Sequence, residues 1–261
     1  MFHSRLTVAA LGLTWIALGA SSDARGDDLY LAHGSAFPGQ LWLSRDGGAE
    51  RALFRREATA NPAFGRAATK LGQVAVGTDG KVYYASGLDG YVLHLQDGRH
   101  EIVSTEIDGQ IRDLACTGEE HTVYFSVVPT PQNGAPLADG KIYRRDFWEG
   151  RASEVATVRQ ADLGGNWWGA FTIRDGVIVL ATFEQRSRLF ELTGTGPQPI
   201  LTDSALKIHG LVATADGSLL VADDTRTIYR LGSGSTPQIA FQGNREFTEV
   251  ALPSVIGSPG P

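Results

Sequence analysis

Short apolar runs separated by tight turns return along this chain roughly every 40 to 55 residues, a period that few architectures can use. One copy runs Val74-Ala75-Val76, a turn at Asp79-Gly80, Val82-Tyr83-Tyr84, a turn at Asp89-Gly90, Tyr91-Val92-Leu93, and a turn at Asp97-Gly98. Another runs Leu211-Val212-Ala213, Asp216-Gly217, Leu219-Leu220-Val221 and Thr227-Ile228-Tyr229. Each run is too short for a helix and rich in residues that suit a pleated surface. The turns account for 32 glycines and eight Asp-Gly dipeptides, since glycine accepts positive φ and aspartate caps a turn through its side chain. A single such unit cannot cover its own faces, but copies arranged around an axis cover one another. The pattern therefore predicts an all-β fold, a single β-propeller of four-stranded blades.

Five blades are expected. Third strands align at Leu41-Trp42-Leu43, Val92-Leu93, Ile142-Tyr143, Leu189-Phe190 and Ile228-Tyr229. Second strands align at Leu29-Tyr30-Leu31, Val82-Tyr83-Tyr84, Val123-Tyr124-Phe125, Val177-Ile178-Val179 and Leu219-Leu220-Val221. No first strand precedes Leu29, whereas residues 247–252 read as a strand without a copy of its own. Pairing these two would close the ring and hide two sheet edges. The propeller is thus assigned to residues 25–253, with the C-terminal strand completing the N-terminal blade. Six blades is the alternative, because the poorly patterned stretch 52–68 has room for more strands. Pro129, Pro131, Asn133-Gly134 and Pro136 widen the spacing between the third and fourth copies as a loop. Residues 254–261 are expected to form a disordered tail.

At the N-terminus, His3 and Arg5 precede an apolar run of about 15 residues, short of the roughly 20 that span a membrane, followed by Ser21-Ser22-Asp23-Ala24. Residues 1–24 read as a secretory signal peptide, cut after Ala24 or after Gly19, with an uncleaved anchor as the alternative. Export to the periplasm or the extracellular space follows, with no membrane span after cleavage. Residues 1–24 carry one basic residue, Arg5, and one acidic, Asp23, so the net charge of −6 survives their removal. No basic stripe exists for nucleic acid. Cys116 is the only cysteine, which excludes an intrachain disulfide, and reads as a small buried hydrophobe.

The phrases Gly77-Thr78-Asp79-Gly80-Lys81-Val82-Tyr83-Tyr84-Ala85-Ser86 and Ala215-Asp216-Gly217-Ser218-Leu219-Leu220-Val221-Ala222-Asp223-Asp224 resemble those of NHL-repeat and gluconolactonase-like (senescence-marker-protein-like) propellers. The resemblance spans most of the chain after residue 24. It implies a ligand site at one mouth of the channel. Lactonases of that group hold a divalent cation with a Glu, Asn and Asp set, for which Glu249, Asn166 and Asp113 are the candidates, with a metal such as calcium as the implied cofactor.

The residues themselves point to the same end of the fold. With Leu211, Leu114, Ala170, Val74 and Val250 in one column, the column two earlier holds His209, Arg112, Trp168, Gly72 and Thr248. The next holds Gly210, Asp113, Gly169, Gln73 and Glu249. This places Gln73, Arg112, Asp113, Asn166, Trp167, Trp168, His209 and Glu249 around one mouth. Paired tryptophans beside Gly164-Gly165 suit stacking on a flat ligand, and also suit packing between blades. His209 suits a base, a metal ligand or an anion anchor beside Arg112, and also a structural role. Asp113 and Glu249 offer two carboxylates, although Arg112 can neutralise Asp113. Asp223-Asp224 reads as a pair of solvated turn acids. No serine triad, metal-spaced histidines or phosphate loop is present. The reading is a binding module for a small molecule, a glycan or a protein. A metal-dependent lactonase-like hydrolase is the alternative, and a quinone-dependent sugar dehydrogenase is third.

Overall fold

The computed structural model describes residues 29–33, 40–44, 51–55, 73–77, 82–85, 91–96, 99–104, 107, 111–119, 121–129, 138–146, 151–202, 205–223, 225–232, 236–243 and 249–251. They form twenty strands in five antiparallel four-stranded sheets. The first sheet holds β1 (Leu29–His33), β2 (Gln40–Ser44), β3 (Arg51–Arg55) and the C-terminal β20 (Glu249–Ala251), in the order β20-β1-β2-β3. The second runs β4 (Gln73–Val76), β5 (Val82–Ala85), β6 (Tyr91–Gln96) and β7 (Arg99–Ser104). β8 (Ile111–Ala115), β9 (Thr122–Val127), β10 (Gly140–Asp146) and β11 (Ala152–Val158) make the third. β12 (Phe171–Arg174), β13 (Val177–Ala181), β14 (Leu189–Thr193) and β15 (Gly196–Leu201) make the fourth. The fifth is β16 (Ile208–Ala213), β17 (Leu219–Asp223), β18 (Thr227–Leu231) and β19 (Gln238–Gln242).

The innermost strands adjoin one another in a closed circuit: β4 beside β8, β8 beside β12, β12 beside β16, β16 beside β20, and β20 beside β4. The expected closure holds, with β20 antiparallel to β1 through Tyr30↔Ala251, Leu31↔Val250 and Ala32↔Glu249. Of the stretch that the six-blade alternative needed, residues 52–55 belong to β3, and 56–68 lie outside the described residues. The proline-rich stretch lies in sequence between β9 and β10, both in the third sheet, and not between two sheets; its residues 130–137 lie outside the described residues.

Alternation along each strand builds the core. In β13, Ile178 and Leu180 enter the core shared with the third sheet, and Val179 and Ala181 the core shared with the fifth. Second strands are therefore covered on both faces: every residue of β9 and of β17 is buried. A third core joins the second and third sheets through Ala75, Tyr83, Ile111, Leu114, Val123 and Phe125, with Cys116 half-buried against it. Outer strands such as β19 expose most of their residues.

Polar ties cross between the sheets. Phe171 N donates to Asp113 Oδ2 at 2.8 Å, Ser126 Oγ to the Gly169 carbonyl at 2.7 Å, Ala213 N to Thr172 Oγ1 at 3.2 Å, and Ile208 N to Ser187 Oγ at 2.8 Å. Asp223 is not a solvated turn acid. It is buried at the end of β17 and accepts from Thr225 N at 2.8 Å, a short-range cap that a dipeptide reading cannot tell from an exposed turn. Residue 224 and the segments 1–24 and 254–261, read as signal peptide and tail, lie outside the described residues. No helix among the described residues is long and apolar enough to cross a membrane.

Candidate functional site

The site begins where inner strands begin. Along β8 the pairing with β9 jumps from Ile111↔Val127 to Asp113↔Ser126, leaving Arg112 as the extra residue of a bulge. Along β16 the pairing with β17 jumps from Ile208↔Asp223 to Gly210↔Ala222, leaving His209 in the same role. A bulge releases a side chain from strict alternation and aims it off the sheet, and bulges recur beside functional sites. Arg112 and His209 are both half-buried.

The entry to β12 completes the arrangement. A single helical turn, α1 (Gln160–Leu163), ends at Gly164 in the left-handed region, φ 59°. The Gln160 amide then holds the backbone of Trp167 like a short strand, accepting from Trp167 N at 2.8 Å and donating to its carbonyl at 2.8 Å. Trp167 points inward. It is 0% exposed, lies in the core between the third and fourth sheets, and donates its indole N–H to the Ala170 carbonyl at 2.9 Å. In extended backbone the next side chain faces the opposite way, and Trp168 is 40% exposed. Of the paired tryptophans, Trp167 is thus a packing residue and Trp168 faces solvent.

Gly169 follows with φ 112°, and a Cβ there would lie 2.2 Å from Arg112 Cβ, so the absent side chain lets the Trp168 segment rest on Arg112. Phe183, just beyond β13, stands between Trp168 and His209. Its ring centroid is 5.5 Å from that of Trp168 and 4.9 Å from that of His209, edge to face with the imidazole. Lys207 Nζ lies 5.0 Å from the Phe183 centroid. Such pairs contribute on the order of 0.5–1.5 kcal/mol each.

The loop 183–188 is pinned on both sides. Phe183 N donates to the Asn166 carbonyl at 2.7 Å, Arg188 Nη2 donates to the Gly164 carbonyl at 2.6 Å, and Ser187 N donates to the Leu206 carbonyl at 2.8 Å. Glu184 Oε1 accepts from Asn166 N at 3.3 Å, and Glu184 Oε2 pairs with Arg188 at 3.6 Å. Asn166 itself is exposed.

Arg112 thus lies against Gly169, next to Trp168, while Phe183 bridges Trp168 and His209 with Lys207 beside it; Phe183 and Lys207 are not among the aligned columns. Gln73 opens β4 and Glu249 opens β20, opposite Ala85 and Ala32, and both are placed by backbone register alone. Asp113 belongs to the scaffold. It is 1% exposed, with Oδ1 accepting from Leu114 N at 2.7 Å and Oδ2 from Phe171 N at 2.8 Å. Both of its oxygens are turned to backbone donors, and of the other candidates for a divalent cation Asn166 is exposed and the Glu249 side chain lies outside the described residues. No group of three His, Cys, Asp or Glu side chains suited to a metal occurs among the described residues. Burial lowers the pKa of the Arg112 guanidinium from its ordinary value, since desolvation opposes charge.

No family model and no curated protein matches this sequence. Solved structures do. The chain is similar to a propeller from the nidogen/laminin complex, at 10% identity and TM-score 0.54, over 88% of this chain and 99% of that one. It is also similar to a gluconolactonase from Xanthomonas campestris, at 12% identity and TM-score 0.53, over 86% of this chain and 80% of that one. At such identities the likeness is one of fold, and the fold is a β-propeller.

Proposed function

We propose that this chain is an exported binding module that takes its ligand on the aromatic shelf at the channel mouth formed by Trp168, Phe183 and His209, flanked by Arg112 and Lys207. The ligand is a small molecule, a glycan or a side chain of a protein partner. One observation carries the reading: of two adjacent tryptophans, one completes the core, and the other is held 40% exposed on a braced aromatic neighbour. An exposed indole on a rigid support offers a large apolar face at small entropic cost to binding. The pinned loop 183–188 and the two bulges supply the rigidity. The lactonase-like reading is weaker, because Asp113 is turned to backbone donors.

A thermal-shift screen of the purified protein against sugars, small acids, lactones and quinones, repeated on Trp168→Ala, tests this. The expected result is a ligand-dependent rise in Tm that the variant loses, with its ligand-free Tm close to that of the parent. A shift of equal size in both proteins would place the site elsewhere.

A further inference from the structure

Two arginines stand side by side in β10, and their surroundings differ. Arg144 donates from Nε to Glu119 Oε2 at 3.2 Å and pairs with Asp146 at 3.7 Å. Arg145 turns to the other face of the sheet. Its ladder partners are Val123 in β9 and Ala152 in β11, and both belong to the core between the second and third sheets. There Arg145 is 8% exposed, and its Nε and Nη1 are buried with no hydrogen-bond partner. The walls around it cannot answer the charge. Val123, Phe125 and Ala152 offer only carbon, and the Tyr143 ring stacks on Phe125 at a centroid distance of 5.4 Å. The adjacent acid, Asp146, and Glu119 are both paired with Arg144. Arginine does not shed its proton to escape burial as lysine can, so a buried guanidinium calls for an anion. The site is also separate from the aromatic shelf. β10 begins at the mouth, where Lys141 and Ile111 both oppose Val127, and Arg145 lies near its other end.

We propose that Arg145 anchors an oxyanion site at the edge of the core between the second and third sheets, taking a small phosphate or carboxylate. In a guanidinium, Nε and Nη1 each form a fork with Nη2, and either fork matches two oxygens of a carboxylate or a phosphate. The 8% left exposed keeps the group within reach of solvent. Apolar walls lower the local dielectric, so a charge-assisted bond made there is stronger than one made at the surface.

Thermal melts in rising potassium phosphate or potassium acetate, with ionic strength held constant by potassium chloride, test the proposal. Parent protein is compared with Arg145→Met, Arg145→Lys and Trp168→Ala, and with Arg151→Gln, which removes a charge from an exposed position. The parent Tm is expected to rise saturably with at least one of the two anions. A response to phosphate alone or to acetate alone supports the site and names its ligand class. Arg145→Met should lose the response, and Arg145→Lys, a point charge without the fork, should need about tenfold more anion for the same shift. Arg151→Gln and Trp168→Ala should respond as the parent does. Without added anion, Arg145→Met should melt at or above the parent, because it removes a buried charge that nothing in the protein offsets. No saturable rise in the parent, or an equal rise in Arg145→Met, overturns the proposal. So does an Arg145→Met protein that fails to fold or melts more than about 5 °C below the parent, since an acid of the protein itself would then be holding Arg145.

Discussion

The carboxylate of Asp113, in the inner strand of the third sheet, accepts the backbone N–H of Phe171, the first residue of the inner strand of the fourth, at 2.8 Å. Its other oxygen accepts from Leu114 N at 2.7 Å, so one buried side chain ties two sheets together beside the channel mouth. Asp113→Ala leaves two buried backbone donors without that acceptor and is expected to lower unfolding stability by about 2–4 kcal/mol. Urea unfolding followed by circular dichroism measures it, and a loss below about 0.5 kcal/mol would show that Asp113 is not a tie.

Trp167 and Trp168 separate stability from binding. Trp167→Ala is expected to cost about 3–5 kcal/mol, the usual range for removing a buried aromatic ring. Trp168→Ala is expected to cost less than about 1 kcal/mol, because the ring is 40% exposed. Parallel urea melts of the two variants check the contrast.

Gly169→Ala tests the close approach beneath the shelf. The new Cβ would stand 2.2 Å from Arg112 Cβ and 2.8 Å from Ser126 Oγ, at a φ of 112° that side chains rarely adopt. The expected loss is several kcal/mol, on the order of 3 or more, together with loss of any ligand-dependent shift. Gly194→Ala, where a Cβ meets nothing within 4 Å, serves as the control.

Acid sensitivity has an identifiable contributor at the β16–β17 turn. Asp216 accepts from Ser218 Oγ at 2.6 Å, from Ser218 N at 3.1 Å and from Thr214 Oγ1. These bonds, those of Ser218 first, hold its pKa well below the ordinary carboxylate range. A depressed native pKa adds stability at pH above the unfolded-state value, roughly 4, and that stability fades as pH falls below it. Parent protein should exceed Asp216→Asn in Tm at pH 7, and the gap should narrow as pH drops below about 4. A gap independent of pH would remove Asp216 as its source.

The fold was legible because turn chemistry and strand alternation repeat together. Asp175-Gly176 and Asp216-Gly217 mark hairpins whose glycines indeed take positive φ, 78° and 77°. The missing first strand announced the closure of β20 on β1. The mouth was partly legible, since inner strands start at one end, and a shared register therefore gathers Arg112, Trp168 and His209. Phe183 escaped because it follows the second strand and not the first. Antiparallel pairing brings the end of one to the start of the other, so an aromatic just after β13 was the available signal. The roles of Trp167 and Trp168 depend on which way the chain enters β12, and the scaffold role of Asp113 depends on which N–H groups surround it. Neither is written in residue type or spacing.

The most direct test of the central claim uses the tryptophan indole N–H signals in protein labelled with ¹⁵N at tryptophan, assigned with Trp168→Phe and titrated with the compounds that raise Tm. The account predicts that the Trp168 signal shifts saturably, while that of Trp167, bonded to the Ala170 carbonyl, stays in place. A Trp168 signal unmoved by every bound compound would contradict it.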